Sequence, residues 1–378
     1  MATLITPQLP SITKTEHNTL DVTSVLPMTI EELGPKWLSL VLGRRCPGLE
    51  VHSVETRNII YGTASKILVR LKYLKRHEKR EPPEDLCIKG GFQQELRDIG
   101  LGSSYRREAE FFAHIAPHLD IQLPQSWYAG ISTELDQGIV IMENLTSRGC
   151  TYGECTETWP ADRVAAALEV LAGLHAHTWG ADSKRYPWLS NISPVKEVSE
   201  ILLSAEYWDR HFEVDEADLK ARVPKSMLDR EKMKFAFEKL WQLSEQGPIC
   251  AAHGDPHVGN TYISADGKPG FIDWQALYAG PPMDDVAYFI GGALTIEDRR
   301  NHERRLLQHY LGSLKAQNGP SFTVDEVWPD YRRNHLHGFF WALTSPKMQR
   351  KDRVIAMTER HITAIEDHKT LDAILGSV

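Results

Sequence analysis

The pattern of hydrophobic and polar positions divides the chain into a strand-rich first half and a helical second half. In the first half, apolar residues recur at every second position from Ile67 to Tyr73, which is the period of a half-buried strand. A further short strand, Leu86–Lys89, ends at a pair of glycines. The other elements predicted here are a helix opening at the Thr29/Glu32 capping box, a helix over 104–118, and a hairpin of strands 126–131 and 138–145.

The second half repeats apolar residues at helical spacing. Val164, Leu168 and Leu171 form one such series, which ends at Gly180. Helices are predicted over 162–179, 196–212, 226–246, 283–294, 297–315, 325–344 and 352–374. A non-helical stretch over 249–274 interrupts them and holds most of the unusual polar residues.

This pattern predicts the domain organisation. Residues 1–27 are polar and rich in proline and threonine, so we expect a flexible leader. Residues 28–146 form a predicted N-lobe, a small antiparallel sheet with one or two helices. Residues 147–378 form a predicted, larger helical C-lobe. The fold class expected from these elements is α+β.

Composition and charge exclude several function classes. The 378 residues carry 43 Lys+Arg against 51 Asp+Glu, a formal net charge of −8. This balance argues against non-specific nucleic-acid binding, which needs a cationic face. No apolar run approaches the roughly 20 residues that span a bilayer, so we expect no membrane insertion.

The cysteines indicate the expected compartment. Five cysteines are scattered along the chain without a Cys-x-x-Cys pair. We therefore expect neither a disulfide framework nor a structural zinc site. The N-terminus shows neither the basic nor the apolar segment of a secretory signal. We therefore expect reduced thiols in a cytoplasmic protein. No pattern in the sequence assigns an oligomeric state.

The non-helical stretch contains a predicted hairpin with polar residues at one end. Two short apolar strands flank an Asp-Gly-Lys turn at residues 266–268. Asp255 and Asn260 precede the first strand, and Asp273 follows the second. Three oxygen-bearing side chains are therefore expected to converge. Such oxygens suit Mg²⁺, which binds a few protein oxygens together with phosphate oxygens and water.

The spacing of these residues favours phosphoryl transfer. Asp255-x-x-x-x-Asn260 has the spacing of the kinase catalytic loop, and Asp273 occupies the place of the aspartate in the kinase Asp-Phe-Gly motif. A metal-hydrolase site built on His253, Asp255 and His257 is the competing interpretation. The glycine and proline within that segment exclude the helical histidine pair of zinc proteases, and the hydrolase interpretation gives the later Asp-Trp-Gln no role.

Three segments carry a resemblance to a known family. The stretches 253–260, 272–275 and 284–288 resemble the signatures of the aminoglycoside phosphotransferase/choline kinase superfamily. The Asp-Trp-Gln form and the helical tail are most similar to its ecdysteroid kinase-like branch, and the resemblance covers roughly residues 28–370. It implies a protein-kinase-like two-lobed fold with ATP and Mg²⁺ in the cleft.

The resemblance also implies roles for the residues around the hairpin. Asp255 matches the catalytic aspartate, and His253 supports its loop through hydrogen bonds. Asn260 and Asp273 match the Mg²⁺ ligands. Asp285 matches a structural brace on the following helix, in preference to its neighbour Asp284, which can be read as part of an acidic first helical turn.

The nucleotide site is implied in the same way. Lys89 matches the lysine that contacts the ATP phosphates, and Glu108 matches its partner, with Glu110 as the alternative. The remaining residues supply a phosphate-covering loop and a hinge for adenine: Gly62, Thr63 and Ser65 for the loop, and Glu143 and Leu145 for the hinge.

The expected activity is ATP-dependent transfer of the γ-phosphoryl group to the hydroxyl of a small-molecule alcohol. The acidic stretch 213–218 is followed at once by basic residues, and the last six residues are largely apolar. Together with the resemblance, these features favour a neutral or hydrophobic acceptor such as a steroid or terpenoid. An aminoglycoside or choline-type acceptor is the alternative, and a catalytically inactive, kinase-like nucleotide- or ligand-binding protein is a hypothesis of another class.

Overall fold

The computed structural model describes residues 26–76, 81–182, 184–215, 217–345 and 347–376. The chain forms a sheet-rich lobe followed by a larger helical lobe, so the predicted α+β class with these two lobes is confirmed. Residues 1–25 of the predicted leader lie outside the described residues. Leu26 is buried against the sheet of the first lobe.

The N-lobe is built on an antiparallel sheet. Over the described residues its strand order is β1-β2-β3-β5-β4. The strands are β1 (Glu50–Ile60), β2 (Ser65–Lys75), β3 (Asp85–Gly90), β4 (Ser126–Ser132) and β5 (Gln137–Glu143). Lys66 of β2 lies directly opposite Lys89 of β3. Residues directly opposite each other in an antiparallel pair share one face of the sheet, so both lysines are on the same side.

Three helices accompany the sheet in the described part of the N-lobe: α1 (Pro35–Gly43), α2 (Gln94–Asp98) and α3 (Gly102–Glu110). The backbone of α3 packs directly on β5 at Gly138, where a Cβ atom would lie 2.1 Å from the Tyr105 carbonyl oxygen. This close approach fixes α3, and therefore Glu108, against the sheet. The predicted helix over 104–118 is present, but its second half is a π turn followed by a 3-10 turn around Pro117.

The C-lobe consists mainly of helices. In the described residues these are α4 (Ala161–His177), α5 (Pro194–Leu202), α6 (Ala205–Arg210), α7 (Ala217–Lys220), α8 (Arg230–Ser244), α9 (Pro282–Ala293), α10 (Ile296–Ala316), α11 (Val324–Asn334), α12 (Lys351–Asp367) and α13 (Thr370–Leu375). Short strands lie between them: β6 (Thr151–Tyr152), β7 (Cys250–Ala252), β8 (Thr261–Ile263), β9 (Pro269–Phe271) and β10 (Tyr278–Gly280).

Several predicted C-lobe helices are interrupted by local features. The predicted helix 196–212 breaks at Ser204, whose hydroxyl caps α6 by accepting from the Tyr207 N–H at 3.2 Å. The predicted helix 352–374 breaks at Lys369, which adopts a left-handed conformation with φ of 47°. The predicted helix 325–344 ends at Asn334 and continues as a 3-10 segment, His335–Leu343.

Helix α9 lies at the centre of the C-lobe. All of its residues from Pro282 to Ala293 are buried, and it contacts α4, α11, α12 and β7. Its first turn carries two buried carboxylates, Asp284 and Asp285. Among the described residues, none of the helices combines the length and the apolar character that crossing a membrane requires.

Candidate active site

The hairpin β8–β9 brings two of the three predicted oxygen-bearing side chains, Asn260 and Asp273, to neighbouring backbone positions. Thr261 pairs with Phe271 in the hairpin. The Ile272 N–H then donates to the Asn260 carbonyl oxygen at 2.9 Å and extends the pairing by one step. Asn260 is thus joined through its backbone to the residue just before Asp273.

The third of these residues, Asp255, is hydrogen-bonded to Asn260. The Asn260 Nδ2 group donates to the Asp255 carbonyl oxygen at 3.0 Å and to the Asp255 Oδ2 atom at 3.1 Å. Because the amide nitrogen is used in this way, the Asn260 Oδ1 atom is left as an acceptor. The sequence therefore folds so that Asp255, Asn260 and Asp273 form one connected group.

A buried lysine links the two lobes. The Lys89 Nζ atom lies 2.7 Å from Glu108 Oε2 and 2.9 Å from Asp273 Oδ1. The Trp274 N–H donates to Glu108 Oε1 at 3.2 Å. One strand and one helix of the N-lobe are thereby bound to the turn that follows the C-lobe hairpin. Glu110, the alternative partner, instead lies 3.0 Å from His114.

Electrostatic interactions keep Lys89 protonated and Asp273 ionised. Burial favours the neutral form of Lys89, but Asp273 and Glu108 outweigh it and raise the pKa of the amine above its usual range. Burial likewise opposes ionisation of Asp273, but Lys89, together with Lys66 and His253, lowers the pKa of its carboxyl to about 2. Asp273 is therefore ionised at neutral pH.

Two side-chain oxygens of this group are suited to a magnesium ion. Asp273 has a left-handed backbone, with φ of 68° and ψ of 65°, which is costly for a residue with a side chain. Its Oδ1 atom contacts Lys89, and within the described residues its Oδ2 atom has no hydrogen-bond partner. An ionised carboxylate oxygen and the Asn260 Oδ1 atom, which accepts no hydrogen bond from any residue that the structure describes, are hard ligands of the kind that Mg²⁺ prefers.

Asp285 braces the segment that carries Asp255. Its carboxylate accepts the His253 N–H at 2.7 Å and the Gly254 N–H at 2.9 Å. It also lies 3.0 Å from His175 Nε2, and His175 Nδ1 lies 2.9 Å from the Tyr310 hydroxyl. Gly254 needs to be glycine, because its φ is +83° and a Cβ atom would lie 2.1 Å from the Ala276 carbonyl oxygen.

His253 supports the same segment with its ring. Its Nδ1 atom accepts the Asp255 N–H at 3.3 Å, so the proton of the neutral ring is on Nε2, which donates to the Ile272 carbonyl oxygen at 3.1 Å. Burial lowers the pKa of His253, in agreement with this neutral tautomer. The ring therefore connects the loop of Asp255 to the strand that leads into Asp273.

The Asp255 carboxylate is held at both oxygens and is partly exposed. The Tyr288 hydroxyl lies 3.2 Å from Oδ1, and on the other side Asn260 contacts Oδ2. His257 Nε2 lies 3.5 Å from Oδ2, and the side chain of Asp255 keeps 42% of its accessible surface. Burial alone would lower the pKa of His257, but the nearby Asp255 carboxylate raises it to about 10.

A cavity of about 300 Å³ lies between the lobes next to the Lys89 group. Its walls include Lys89, Glu108, Asp273, Glu143 and Leu145, which brings five of the predicted site residues together. The Leu145 N–H donates to no other group in the described part of the chain. A free backbone donor at this edge can pair with a planar ring that carries acceptor nitrogens.

The predicted phosphate-covering loop is placed differently from the other nucleotide residues. Gly62, Thr63 and Ser65 do not line this cavity; Thr63 Oγ1 donates to Gln275 Oε1 at 3.2 Å, and Ser65 is fully buried. Lys66, which sequence reasoning missed, does line the cavity. No local signal marks it, because its position opposite Lys89 depends on the register between β2 and β3.

A second cleft, of about 440 Å³, opens on the other side of Asp255. Tyr288, Phe340 and Trp341 line it together with Asp255. Sequence alone could not choose among the C-lobe aromatic residues. Two other aromatic residues of the C-lobe, Trp208 and Phe339, are packed in the core.

An ion pair between the lobes borders this second cleft. Arg107 of α3 lies 2.8 Å from the Glu197 carboxylate of α5, and both residues line the cleft. Arg107 directly precedes Glu108, the partner of Lys89. The same helix therefore contributes to the walls of both cavities.

A second group of possible metal ligands lies outside the clefts. Glu303, His335 and His368 bring ligand atoms within 4.8 Å of one another. The Arg299 guanidinium donates to Glu303 Oε2 at 3.1 Å, and His368 Nε2 lies 2.9 Å from the same oxygen. The rings of His335 and His368 are stacked at an angle of 5°. Parallel rings do not direct two lone pairs at one point, and a buried cation already occupies the carboxylate, so this group does not fit a metal.

Solved structures of small-molecule kinases show a partial likeness to this chain. A choline kinase from Streptococcus pneumoniae is 15% identical with a TM-score of 0.47, over 88% of this chain and 98% of the kinase. An ethanolamine kinase from Plasmodium vivax is 16% identical with a TM-score of 0.45, over 91% and 89%. A macrolide 2′-phosphotransferase from Brachybacterium faecium is 16% identical with a TM-score of 0.43, over 90% and 99%. Likenesses at this level carry no information about an acceptor.

Comparisons of sequence give the family. An uncharacterized kinase-like protein of Caenorhabditis elegans is 26% identical over 181 residues, which is 45% of this chain and 46% of that protein. The chain thus matches about half the length of this relative. The model of the ecdysteroid kinase-like family matches residues 64–318, a range that includes the lysine, the catalytic-loop motif and the Asp-Trp-Gln segment. The resemblance found in the sequence is confirmed, and the chain belongs to the ecdysteroid kinase-like family of kinase-like phosphotransferases.

Proposed function

We propose that this chain transfers the γ-phosphoryl group of ATP to the hydroxyl of a neutral, largely apolar alcohol. One observation supports this most directly. Asp273 borders the cavity between the lobes and Asp255 borders the second cleft, while Asn260 is bonded to Asp255 and to the backbone beside Asp273. A nucleotide and an alcohol can therefore meet across this connected group.

The cavity between the lobes is the proposed ATP site. Lys89 carries a charge that Glu108 and Asp273 hold in position, and it would contact the phosphates. Lys66, on the same face of the sheet, adds a second positive charge at the cavity. The hinge at Glu143 and Leu145 would receive the adenine ring through its backbone.

Asn260 and Asp273 are the residues that would hold Mg²⁺. When bound there, the ion would neutralise charge on the phosphates. The protein itself supplies the rigid placement of both oxygens, because the backbone pairing of the hairpin fixes one residue relative to the other.

Asp255 is the proposed acceptor of the substrate proton. The alcohol oxygen forms a bond to the γ-phosphorus while the bond from that phosphorus to the bridging oxygen of ADP breaks. The hydroxyl proton passes to Asp255, which releases it to solvent after product leaves. The exposed part of the carboxylate faces the second cleft, where the alcohol would bind.

The second cleft supports an apolar acceptor. Tyr288, Phe340 and Trp341 supply aromatic surface, and the charge of Arg107 is balanced by Glu197. A polycationic aminoglycoside would need several unpaired carboxylates, but the two carboxylates among the described lining residues already have basic partners, since Glu197 pairs with Arg107 and Asp255 lies beside His257. This favours a steroid- or terpenoid-like alcohol over an aminoglycoside or choline.

A catalytically inactive nucleotide-binding protein is the competing proposal. The residues that the activity needs are present and connected: Lys89, Glu108, Asp255, Asn260 and Asp273. Their presence favours an active enzyme.

All five cysteines are free thiols, in line with the proposed cytoplasmic, reducing location.

Transfer of label from [γ-³²P]ATP tests the proposal. Wild-type protein with Mg²⁺ is incubated separately with ecdysone, farnesol, kanamycin and choline, and labelled product is separated by chromatography. Transfer to ecdysone or farnesol that exceeds transfer to the two cations is the expected result. Faster labelling of kanamycin or choline would overturn the proposed acceptor class. Binding of ATP without labelling of any acceptor, and without ATP hydrolysis, would favour the inactive binding protein.

A further inference from the structure

The hydroxyl of Tyr288 is oriented by a neighbouring indole. Trp341 Nε1 lies 2.7 Å from the Tyr288 oxygen, and the indole N–H can only donate. The tyrosine oxygen therefore accepts from Trp341, which leaves its own proton free to be donated elsewhere. Asp255 Oδ1, at 3.2 Å, is the acceptor in reach.

The ring of Tyr288 is itself fixed. It is 5% exposed and stacks on His361 with centroids 4.9 Å apart and planes 12° apart. His337 packs at 4.7 Å on the same residue. The hydrogen bond to Asp255 is therefore donated from a rigid position, as the support of a reacting group requires.

Tyr288 and Asp285 belong to one helix and lie three residues apart. Residues at this spacing share a face of a helix. Asp285 holds the backbone N–H groups of His253 and Gly254, and Tyr288 contacts the side chain of Asp255 two residues after His253. One face of the buried helix α9 thus holds both the backbone and the carboxylate of the segment.

We propose that Tyr288, oriented by Trp341, is a positioning residue that sets the direction of the Asp255 carboxylate for proton transfer. This inference rests on the proposed function, because it needs Asp255 to act on the alcohol. Tyr288 contributes in two separable ways. Its ring is part of the cleft wall, and its hydroxyl holds Asp255.

Tyr288→Phe separates these two contributions, because it keeps the ring and removes the donor. With ecdysone as acceptor and basal ATP hydrolysis as a second readout, we expect kcat to fall about 10- to 100-fold, the cost typical of a misdirected reacting group. The KM for ecdysone and the Kd for ATP should stay within about twofold. An unchanged kcat overturns the inference, and so does an effect confined to a higher KM, since it reduces Tyr288 to a wall residue.

Trp341→Phe and the double variant test the route through the tyrosine. Trp341→Phe should lower kcat by less than Tyr288→Phe, and in the Tyr288→Phe background it should lower kcat no further. If the effects of the two substitutions on kcat were fully additive, this would contradict the proposal that Trp341 acts on Asp255 through Tyr288. Thermal unfolding of each variant separates these effects from loss of folded protein.

Tyr331→Phe is the matched control. Tyr331 is another buried C-lobe tyrosine, and its hydroxyl contacts Glu303, outside both clefts. It should change the unfolding temperature but leave kcat within about twofold. If wild type neither phosphorylates ecdysone nor hydrolyses ATP, the proposed function itself fails and the inference fails with it. If wild type is active and Tyr288→Phe is equally active, only the inference fails.

Discussion

Asp284 and Asp285 are neighbours in the first turn of α9, yet their surroundings shift their pKa values in opposite directions. Burial raises the pKa of Asp284 to about 7, against which a hydrogen bond from Tyr278 acts only partly. Burial also disfavours the charged form of Asp285, but hydrogen bonding with His175 and with the Gly254 N–H lowers its pKa. Hydrogen-bond donors therefore hold Asp285 as an anion, while Asp284 is partly protonated at neutral pH.

The first prediction compares the asparagine variants of these two residues. Asp285→Asn removes the charge that three donors face, and its NH₂ group can be turned towards one of them. We expect a loss of about 2–4 kcal/mol in the free energy of unfolding, measured by urea denaturation at pH 7. Asp284→Asn should cost less than about 1 kcal/mol, because it replaces a group that is already close to neutral.

The pH dependence of the Asp284 variant checks the same argument. A folded pKa near 7 lies above the unfolded value of 3.8, so the folded state binds more protons, and wild type loses stability as pH rises from about 4 to about 7. Relative to wild type, Asp284→Asn should therefore be more stable at pH 8 than at pH 5. A difference that does not change with pH would contradict a partly protonated Asp284.

The buried histidines should make the folded protein less stable in acid. Burial lowers the pKa of His335 and of His361 well below 6.5. These rings are neutral in the folded state but take up protons when the chain unfolds, so the unfolded state binds more protons below pH 6.5. Their contribution to stability is complete above that pH and declines as the pH falls below it.

Replacement of one histidine tests this contribution. His335→Phe should reduce the loss of unfolding free energy between pH 7 and pH 5 relative to wild type, measured by urea denaturation at several pH values. His309→Phe, at an exposed site on α10 where the ring lies 2.8 Å from the Glu169 carboxylate, is the matched control and should leave the slope close to that of wild type. Equal slopes for wild type and His335→Phe would show that this ring does not stay neutral in the folded protein.

Removal of the buried lysine should affect stability and activity separately. Lys89→Met leaves Glu108 and Asp273 close together without their cation, so we expect a loss of about 3–5 kcal/mol in unfolding free energy and of ATP affinity. Adding Glu108→Gln removes one of the stranded charges. The double variant should regain part of the stability in thermal unfolding but none of the phosphotransfer activity. Recovery of activity would contradict the role of Lys89 at the phosphates.

The strands and the hairpin could be predicted from the sequence because their signals are local. Alternation from Ile67 to Tyr73 and the Asp-Gly-Lys turn determine backbone geometry over a few residues. The interruptions at Ser204 and Lys369 could not be predicted, because the apolar period continues across them while a cap or a left-handed residue breaks the helix.

The residues missed at the site depend on contacts between distant segments. Nothing in the sequence of α4 marks His175, and the fold alone shows its ring against Asp285, 110 positions away. Tyr288 belongs to the stretch 284–288 that carries the family resemblance, but nothing in the sequence shows that its hydroxyl contacts Asp255. Phe340 and Trp341 line the cleft whereas their neighbour Phe339 lies in the core, and this difference depends on the 3-10 geometry of their segment.

The most direct test of the account compares ATP binding and turnover in Asp255→Asn and Asp273→Asn. Calorimetric titration with ATP and Mg²⁺ should give Asp255→Asn an affinity within about threefold of wild type, while its transfer of label from [γ-³²P]ATP falls by about 10²–10⁴-fold. Asp273→Asn should lose the magnesium-dependent part of the binding. Undiminished transfer by Asp255→Asn would contradict the central claim that Asp255 acts on the alcohol across from the nucleotide.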